Sequence, residues 1–205
     1  MNDRFDAVIA AIDSVNSQDP NRIAVGGRSE PGELAYGRRM SRMLDRFRPE
    51  ASEALKIAAR AQHIERWTSS RANYPEGRVG YLRWRTDLKN YHAQRAGELM
   101  GHCKYSSEII ARVQSLIRKE RLKYDAEAQA LEDVICLVFL EDYLVDFATK
   151  HADEKVIDIV RKTWAKMSKE GQAAALKLAL APAAQELLTR ALGLTLHERE
   201  SGPAN

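Results

Sequence analysis

The chain has 205 residues, of which 44% are hydrophobic and 30% charged, with 11 Gly, 6 Pro and a formal net charge of +3. This composition excludes a collagenous or low-complexity chain and fits one globular domain, read as residues 1–196 followed by a frayed tail at 197–205. No stretch approaches the roughly 18–20 apolar residues of a membrane span, and the start lacks the basic-then-apolar build of a secretory signal. Cys103 and Cys136 are too few for a disulfide framework and read as free thiols of a reducing, cytoplasmic compartment.

Taken in chain order, the pattern is helical throughout. Phe5, Val8, Ile9, Ile12 and Val15 form a first apolar stripe at helical spacing. The Gly-, Pro-, Asp- and Ser-rich segment 17–32 reads as a loop with a turn at Gly26-Gly27. Leu34, Met40, Met43, Leu44 and Phe47 make the next stripe, closed by Pro49. A third helix is expected over about 50–67, with Leu55, Ala58, Ala59, Ile64 and Trp67 inward. Residues 68–80 read as a loop long enough to be functional, and a long helix follows from about 80 to 100. Ser106 or Ser107 caps another helix, whose buried face is Ile109, Ile110, Val113, Leu116 and Ile117. Over about 125–150 the seven consecutive apolar residues Val134–Leu140 leave no polar face, which predicts a central, buried helix. Val156, Ile159, Val160, Trp164 and Met167 give a further stripe, and Pro182 and Gly193 bracket the last helix. The expected fold is therefore all-α, a single compact bundle of seven to nine helices around a central apolar helix.

Charge is distributed unevenly. Residues 60–124 carry fourteen Lys/Arg against six Asp/Glu, and residues 125–160 carry ten acids against two lysines. Such blocks mark either an anion site beside an acidic site or helices that pair their charges. Within the basic block, Arg78, Arg83, Arg85 and Lys89 alternate with Tyr81, Trp84 and Tyr91. Guanidinium groups bind phosphate in a fork and flat aromatics stack on bases; the plainer reading makes Trp84 and Tyr91 core residues with arginines laid over them. His63 follows an alanine-rich helix, His92 lies mid-helix, and Asp133 opens the apolar run, where a carboxylate requires a partner or a metal. Each alone also reads as an ordinary hydrogen-bonded or helix-terminal residue. No phosphate loop, Cys-x-x-Cys, His-Glu-x-x-His or nucleophile elbow is present.

The strings ELAYGRRMSRML, ASEALKIAARAQHIERW, GRVGYLRWRTDLKNYHA and LEDVICLVFLEDYL together resemble the domain-of-unknown-function family 4202, over about residues 3–195. The shorter strings LKIAARAQHIERW, HAQRAGELM and LEDVICLVFLEDY resemble helices of the HD-domain metal-dependent phosphohydrolases. That second resemblance implies an HD-like helical domain and a divalent metal ion (iron, manganese or zinc) held by His63, His92 and Asp133. Glu33 is a further oxygen ligand in that set and Glu132 the register alternative to Asp133. It departs at two places. The aspartate of the His-Asp doublet is Ile64, and Tyr36 and Arg38 stand where the first histidine belongs. The function so implied is hydrolysis of a phosphorylated or nucleotide-like small molecule, with Arg78, Arg83, Arg85 and Lys89 holding the anion. The alternative is a degenerate HD-like scaffold that binds RNA or a partner protein through its basic face, without catalysis. A small anionic ligand is favoured over nucleic acid, because the acidic block leaves room for a local pocket rather than a long positive track; no membrane partner is expected.

Overall fold

The computed structural model describes residues 3–193, so the expected tail at 197–205 lies outside the described residues. Helices α1 (Asp3–Asn16), α2 (Gly32–Phe47), α3 (Glu53–Arg60), α4 (Gly77–His102), α5 (Ser107–Arg118), α6 (Ala126–Val138), α7 (Leu144–Ala148), α8 (Asp153–Trp164), α9 (Lys169–Leu176) and α10 (Pro182–Leu192) carry the fold. One hairpin, β1 (Arg22–Val25) with β2 (Arg28–Pro31), is the only sheet among the described residues. The class is all-α. The chain divides into two compact units, residues 1–131 and 132–205.

In the first unit, α1, α2, α3, α4 and α5 bury Val8, Ile12, Met40, Leu44, Leu55, Ile57, Ile64, Met100, Leu116 and Ile117 to below 2% exposure. The hairpin was not anticipated, because strands of four residues are too short for a period of two to register. Its turn is legible, however: Gly26 and Gly27 both take left-handed φ, at 55° and 79°, as a two-residue hairpin loop demands. Asp19, 3% exposed, ties this hairpin to α2. Its Oδ1 accepts from the Asn21 backbone N–H and from Asn21 Nδ2, both at 2.9 Å, and its Oδ2 accepts from the Glu33 backbone N–H at 2.8 Å. A carboxylate thus caps α2 from outside the helix.

Three expectations are corrected in this unit. The third helix stops at Arg60 rather than 67: residues 61–65 form tight turns, with the Ile64 N–H returning to the Ala61 carbonyl at 3.0 Å and Glu65 left-handed at φ 51°. Phe5 and Ile9 are only half-buried, since α1 turns Val8, Ile12 and Asn16 inward instead. Tyr91 is 37% exposed and so is not core, whereas Trp84 is buried at 8% and donates from Nε1 to the Ser69 carbonyl at 3.2 Å. The charge blocks do pair in part. Arg112 on α5 grips both Asp125 and Glu127 at the start of α6, and this holds the Asp125 carboxyl down at about 2.

In the second unit the apolar run behaves as expected: Val134, Leu137, Val138 and Leu140 are at most 1% exposed, while Ile135 and Phe139 are half-buried. The single helix expected over about 125–150 is instead divided by a π-helical turn at Phe139–Tyr143. α8 packs on α7 and α10, and Arg161 Nε donates to the Ala191 carbonyl at 2.8 Å. Pro182 opens α10, and Gly193, at φ 66°, ends it.

Asp133, 1% exposed, meets Ser168 at the N-terminus of α9. Its Oδ1 accepts from the Ser168 backbone N–H at 2.8 Å and its Oδ2 from the Ser168 hydroxyl at 2.6 Å. The same hydroxyl oxygen accepts from the Gly171 N–H at 3.0 Å. A Cβ on Gly171 would lie 2.6 Å from the Asp133 carboxyl carbon, so only glycine admits this approach. Asp133→Ala is expected to cost about 1–3 kcal/mol in urea unfolding, because it leaves the half-buried Ser168 N–H and hydroxyl without their acceptor. Gly171→Ala is expected to destabilise on its own but to add less than its full cost on top of Asp133→Ala, since removal of the carboxyl clears the space its methyl needs. Full additivity in that double-mutant cycle would show that the two residues do not share the contact.

Candidate acid–base site

The turn after α3 brings His63 to α2 and α4. Four hydrogen bonds fix the turn. The Glu65 backbone N–H donates to Asn16 Oδ1 at 3.0 Å; Glu65 Oε2 accepts from Arg95 Nε at 2.6 Å and from the Tyr91 hydroxyl at 3.2 Å; and His92 Nδ1 lies 2.7 Å from the Ile64 carbonyl. A carbonyl can only accept, so His92 carries its proton on Nδ1 and, when neutral, leaves Nε2 as a free lone pair. The left-handed Glu65 is held by this set of anchors against a conformation that a residue with a Cβ resists.

Around that turn, side chains from three segments converge. His63 stacks on Tyr36 of α2, with ring centroids 4.1 Å apart and planes inclined by 12°, and its centroid lies 6.0 Å from that of His92. His63 Nδ1 is 3.5 Å from Glu33 Oε2. Glu33 and Tyr36 share one face of α2 through their three-residue spacing. Arg66 places Nη1 3.8 Å from Glu33 Oε1 and its guanidinium 5.4 Å above the Trp84 ring. The His63 side chain retains 31% exposure, so a small molecule can reach it, whereas Glu33 retains 14%.

The electrostatics follow from burial. Loss of hydration pushes the Glu33 carboxyl up to about 7, against the opposing pull of Arg66, and the nearby Asp19 charge adds to the rise. Loss of hydration also pulls His92 down to about 3, helped by His63 and opposed by the bond to Ile64. His63 falls well below its ordinary range, first by loss of hydration and then through the positive charges of Arg66, Arg85 and Lys119. At neutral pH the cluster therefore holds two uncharged imidazoles and one carboxyl poised between its two protonation states.

Of the residues singled out from the sequence, the structure brings His63, His92 and Glu33 together. Asp133 belongs to the second unit, where both its oxygens accept from Ser168; Glu132 is likewise buried there. Among the four basic residues, Arg85 bears on His63, and it also meets Tyr81, with Nη1 3.4 Å from the hydroxyl. Arg78 is exposed, Arg83 is 74% exposed and reaches Asp87 at 4.0 Å, and Lys89 is half-buried. Arg66, Lys119 and the stacking role of Tyr36 escaped the sequence reading. Arg66 stands three residues after His63 and Tyr36 three after Glu33, a spacing that offered the only signal.

The metal set implied by the HD resemblance does not fit these side chains as they stand. Ile64 is fully buried and offers only its carbonyl, which His92 occupies. Among the described residues, no three His, Cys, Asp or Glu side chains are arranged to hold a metal ion. Two neutral imidazoles and a carboxyl near its midpoint can accept and give up protons at neutral pH. No helix among the described residues is long and apolar enough to cross a membrane.

No curated protein and no solved structure matches the chain. The model of the domain of unknown function DUF4202 matches residues 6–188, nearly the whole chain, and the strings that built the site all fall within that span. The protein belongs to the DUF4202 family.

Proposed function

We propose that the first unit binds a small phosphorylated molecule at the Glu33–His63–His92 cluster and hydrolyses it by acid–base chemistry. The observation that carries this reading is the meeting of a carboxyl near neutrality with two uncharged imidazoles beside Arg66 and Arg85. Paired titratable groups pushed apart by their surroundings are the usual signature of an acid and a base at work. In this scheme the ligand phosphate lies against Arg66 and Arg85, with Lys119 adding positive potential. His63 takes a proton from a water whose oxygen attacks phosphorus. The protonated Glu33 gives its proton to the leaving oxygen as that bond breaks. His92, fixed as the Nδ1–H tautomer, presents Nε2 as an acceptor that orients the water. The scaffold would be HD-like in descent with its metal set replaced, and its two cysteines, neither of them in a disulfide, suit a reducing, cytoplasmic setting.

A second reading rests on a separate observation. Along the N-terminal half of α4, Val79 is 82% exposed, Leu82 50% and Tyr81 43%, between the exposed Arg78 and Arg83. Such a face suits a non-catalytic scaffold that binds RNA or a partner protein.

The test is phosphate release from a panel of phosphomonoesters and nucleotides, using protein purified without added metal and analysed for iron, manganese and zinc. The expected result is turnover without stoichiometric metal, lowered about 100-fold or more by His63→Ala and by Glu33→Gln, with weaker substrate binding in Arg66→Ala and Arg85→Ala. Stoichiometric metal whose removal abolishes turnover would overturn the metal-free scheme. Tight RNA binding that falls with a log–log salt slope of about −0.7 per phosphate contacted, together with no turnover, would favour the second reading.

The pH dependence of stability gives an independent check. Glu33 is raised from 4.5 to about 7, so between those values the folded state binds more protons than the unfolded one, and stability is lost as pH rises through the window. His92 is lowered from 6.5 to about 3, so the unfolded state binds more protons there, and stability is lost as pH falls. The two trends oppose each other between pH 4.5 and 6.5. Glu33→Gln removes only the first. Its stability relative to the parent protein is therefore expected to increase from pH 4.5 to about 7 and then level off; a difference independent of pH would show that Glu33 is not shifted.

A further inference from the structure

The groove between α1, α2 and α3 is unrelated to the acid–base site and has a composition of its own. It encloses about 240 Å³ and is lined by Phe5, Ile9, Ser41, Leu44, Asp45, Lys56 and Arg60. Phe5 and Ile9 are the two members of the α1 stripe that the core leaves half-exposed. With the buried Leu44 they form an apolar floor. Arg60 is committed: its Nε and Nη2 donate to the two Asp13 oxygens at 2.7 and 2.6 Å, and its Nη1 donates to Ser41 Oγ at 3.1 Å. It therefore serves as a fixed wall.

Asp45 and Lys56 differ from Arg60. Both line the groove, on α2 and α3 respectively, and among the described residues neither is within ion-pair distance of an opposite charge. An unpaired carboxylate and an unpaired ammonium thus border one small apolar depression without neutralising each other. Ligand pockets combine an apolar lining with a few polar groups that fix orientation. Here the polar groups are of both signs.

We propose that this groove binds a small zwitterion with an apolar body, an α-amino acid of the branched aliphatic or aromatic kind. The ligand ammonium would meet Asp45, the ligand carboxylate Lys56, and the side chain Phe5, Ile9 and Leu44. A purely cationic or purely anionic compound would meet only one of the two charges and gain nothing from the other. This inference is independent of the hydrolytic reading, because no residue is shared between the two sites.

Titration calorimetry with L-leucine and L-phenylalanine, against L-leucinamide and 4-methylpentanoate, tests it on the full chain. Saturable binding of the amino acids is expected with Kd on the order of 1 mM, and at least tenfold weaker binding of the amide and of the acid. Lys56→Ala and Asp45→Asn should each weaken leucine about tenfold or more, a factor equivalent to the loss of one charge-assisted hydrogen bond. Neither should alter the helical circular dichroism, since Asp45 is exposed and Lys56 half-buried. Ile9→Asp, which places a charge in the floor, should abolish binding, and it removes no fully buried side chain. Failure of both amino acids to bind, equal binding of leucine and its amide, or leucine affinity unchanged in both charge variants would each overturn the proposal.

Discussion

The hydrogen bond from His92 Nδ1–H to the Ile64 carbonyl, 2.7 Å long and wholly buried, is the interaction on which the geometry of the Glu33–His63–His92 cluster depends. It acts in two directions. For the turn, it satisfies a main-chain acceptor that lost its helical partner when α3 ended at Arg60; an unpaired carbonyl at that depth would cost about 1–3 kcal/mol. For the histidine, it fixes ring orientation and tautomer, so Nε2 is presented as a lone pair. Glu65 completes the clamp by receiving Tyr91 and Arg95 from the same helix, one residue before and three residues after His92. The position of His63 therefore follows from α4 as much as from α3.

Burial then sets the charge state. Asp19 and Glu33 lie at the start of α2, with Asp19 accepting the Glu33 N–H. A second carboxylate so close to a poorly hydrated one makes ionisation of Glu33 harder. The positive groups near His63 act the other way on the imidazole: each makes protonation more costly. Loss of hydration first, and these positive charges second, thus keep His63 neutral, whereas at His92 the loss of hydration and the neighbouring His63 do most of that work.

Much of this organisation was legible in the sequence, and the reasons for the remainder are specific. Long-period features transferred well: the apolar run Val134–Leu140, the α4 span and the caps at Pro182 and Gly193 are set by local sequence alone. The resemblance grouped His63, His92 and Asp133, with Glu33 as a further ligand; spacing could not single out the pairing of His63 with Glu33, because residues 29 or more apart in sequence share no helical period. The end of α3 was missed because AARAQHIERW has no Gly or Pro to mark a stop; a left-handed Glu65, anchored by Asn16, Arg95 and Tyr91, ends it through tertiary bonds. The partial exposure of Phe5 and Ile9 was not legible from the α1 stripe, because periodicity shows which residues share a face and not how much of that face is covered.

Ile64 shows how a side chain and its own main chain can serve one site together. An aspartate there would offer oxygens to a cation beside His63. Isoleucine offers instead a branched side chain, fully buried, which pins the turn into the core through contacts that an aspartate could not make without a desolvation penalty. Pinned, the same residue holds out its carbonyl to His92. His63 in turn stacks on Tyr36 and approaches Glu33. A carboxyl among such poorly hydrated groups relieves its own charge by holding a proton into the neutral range, as Glu33 does at about 7. The burial of Ile64 and the raised proton affinity of Glu33 are in that sense two consequences of one poorly hydrated environment.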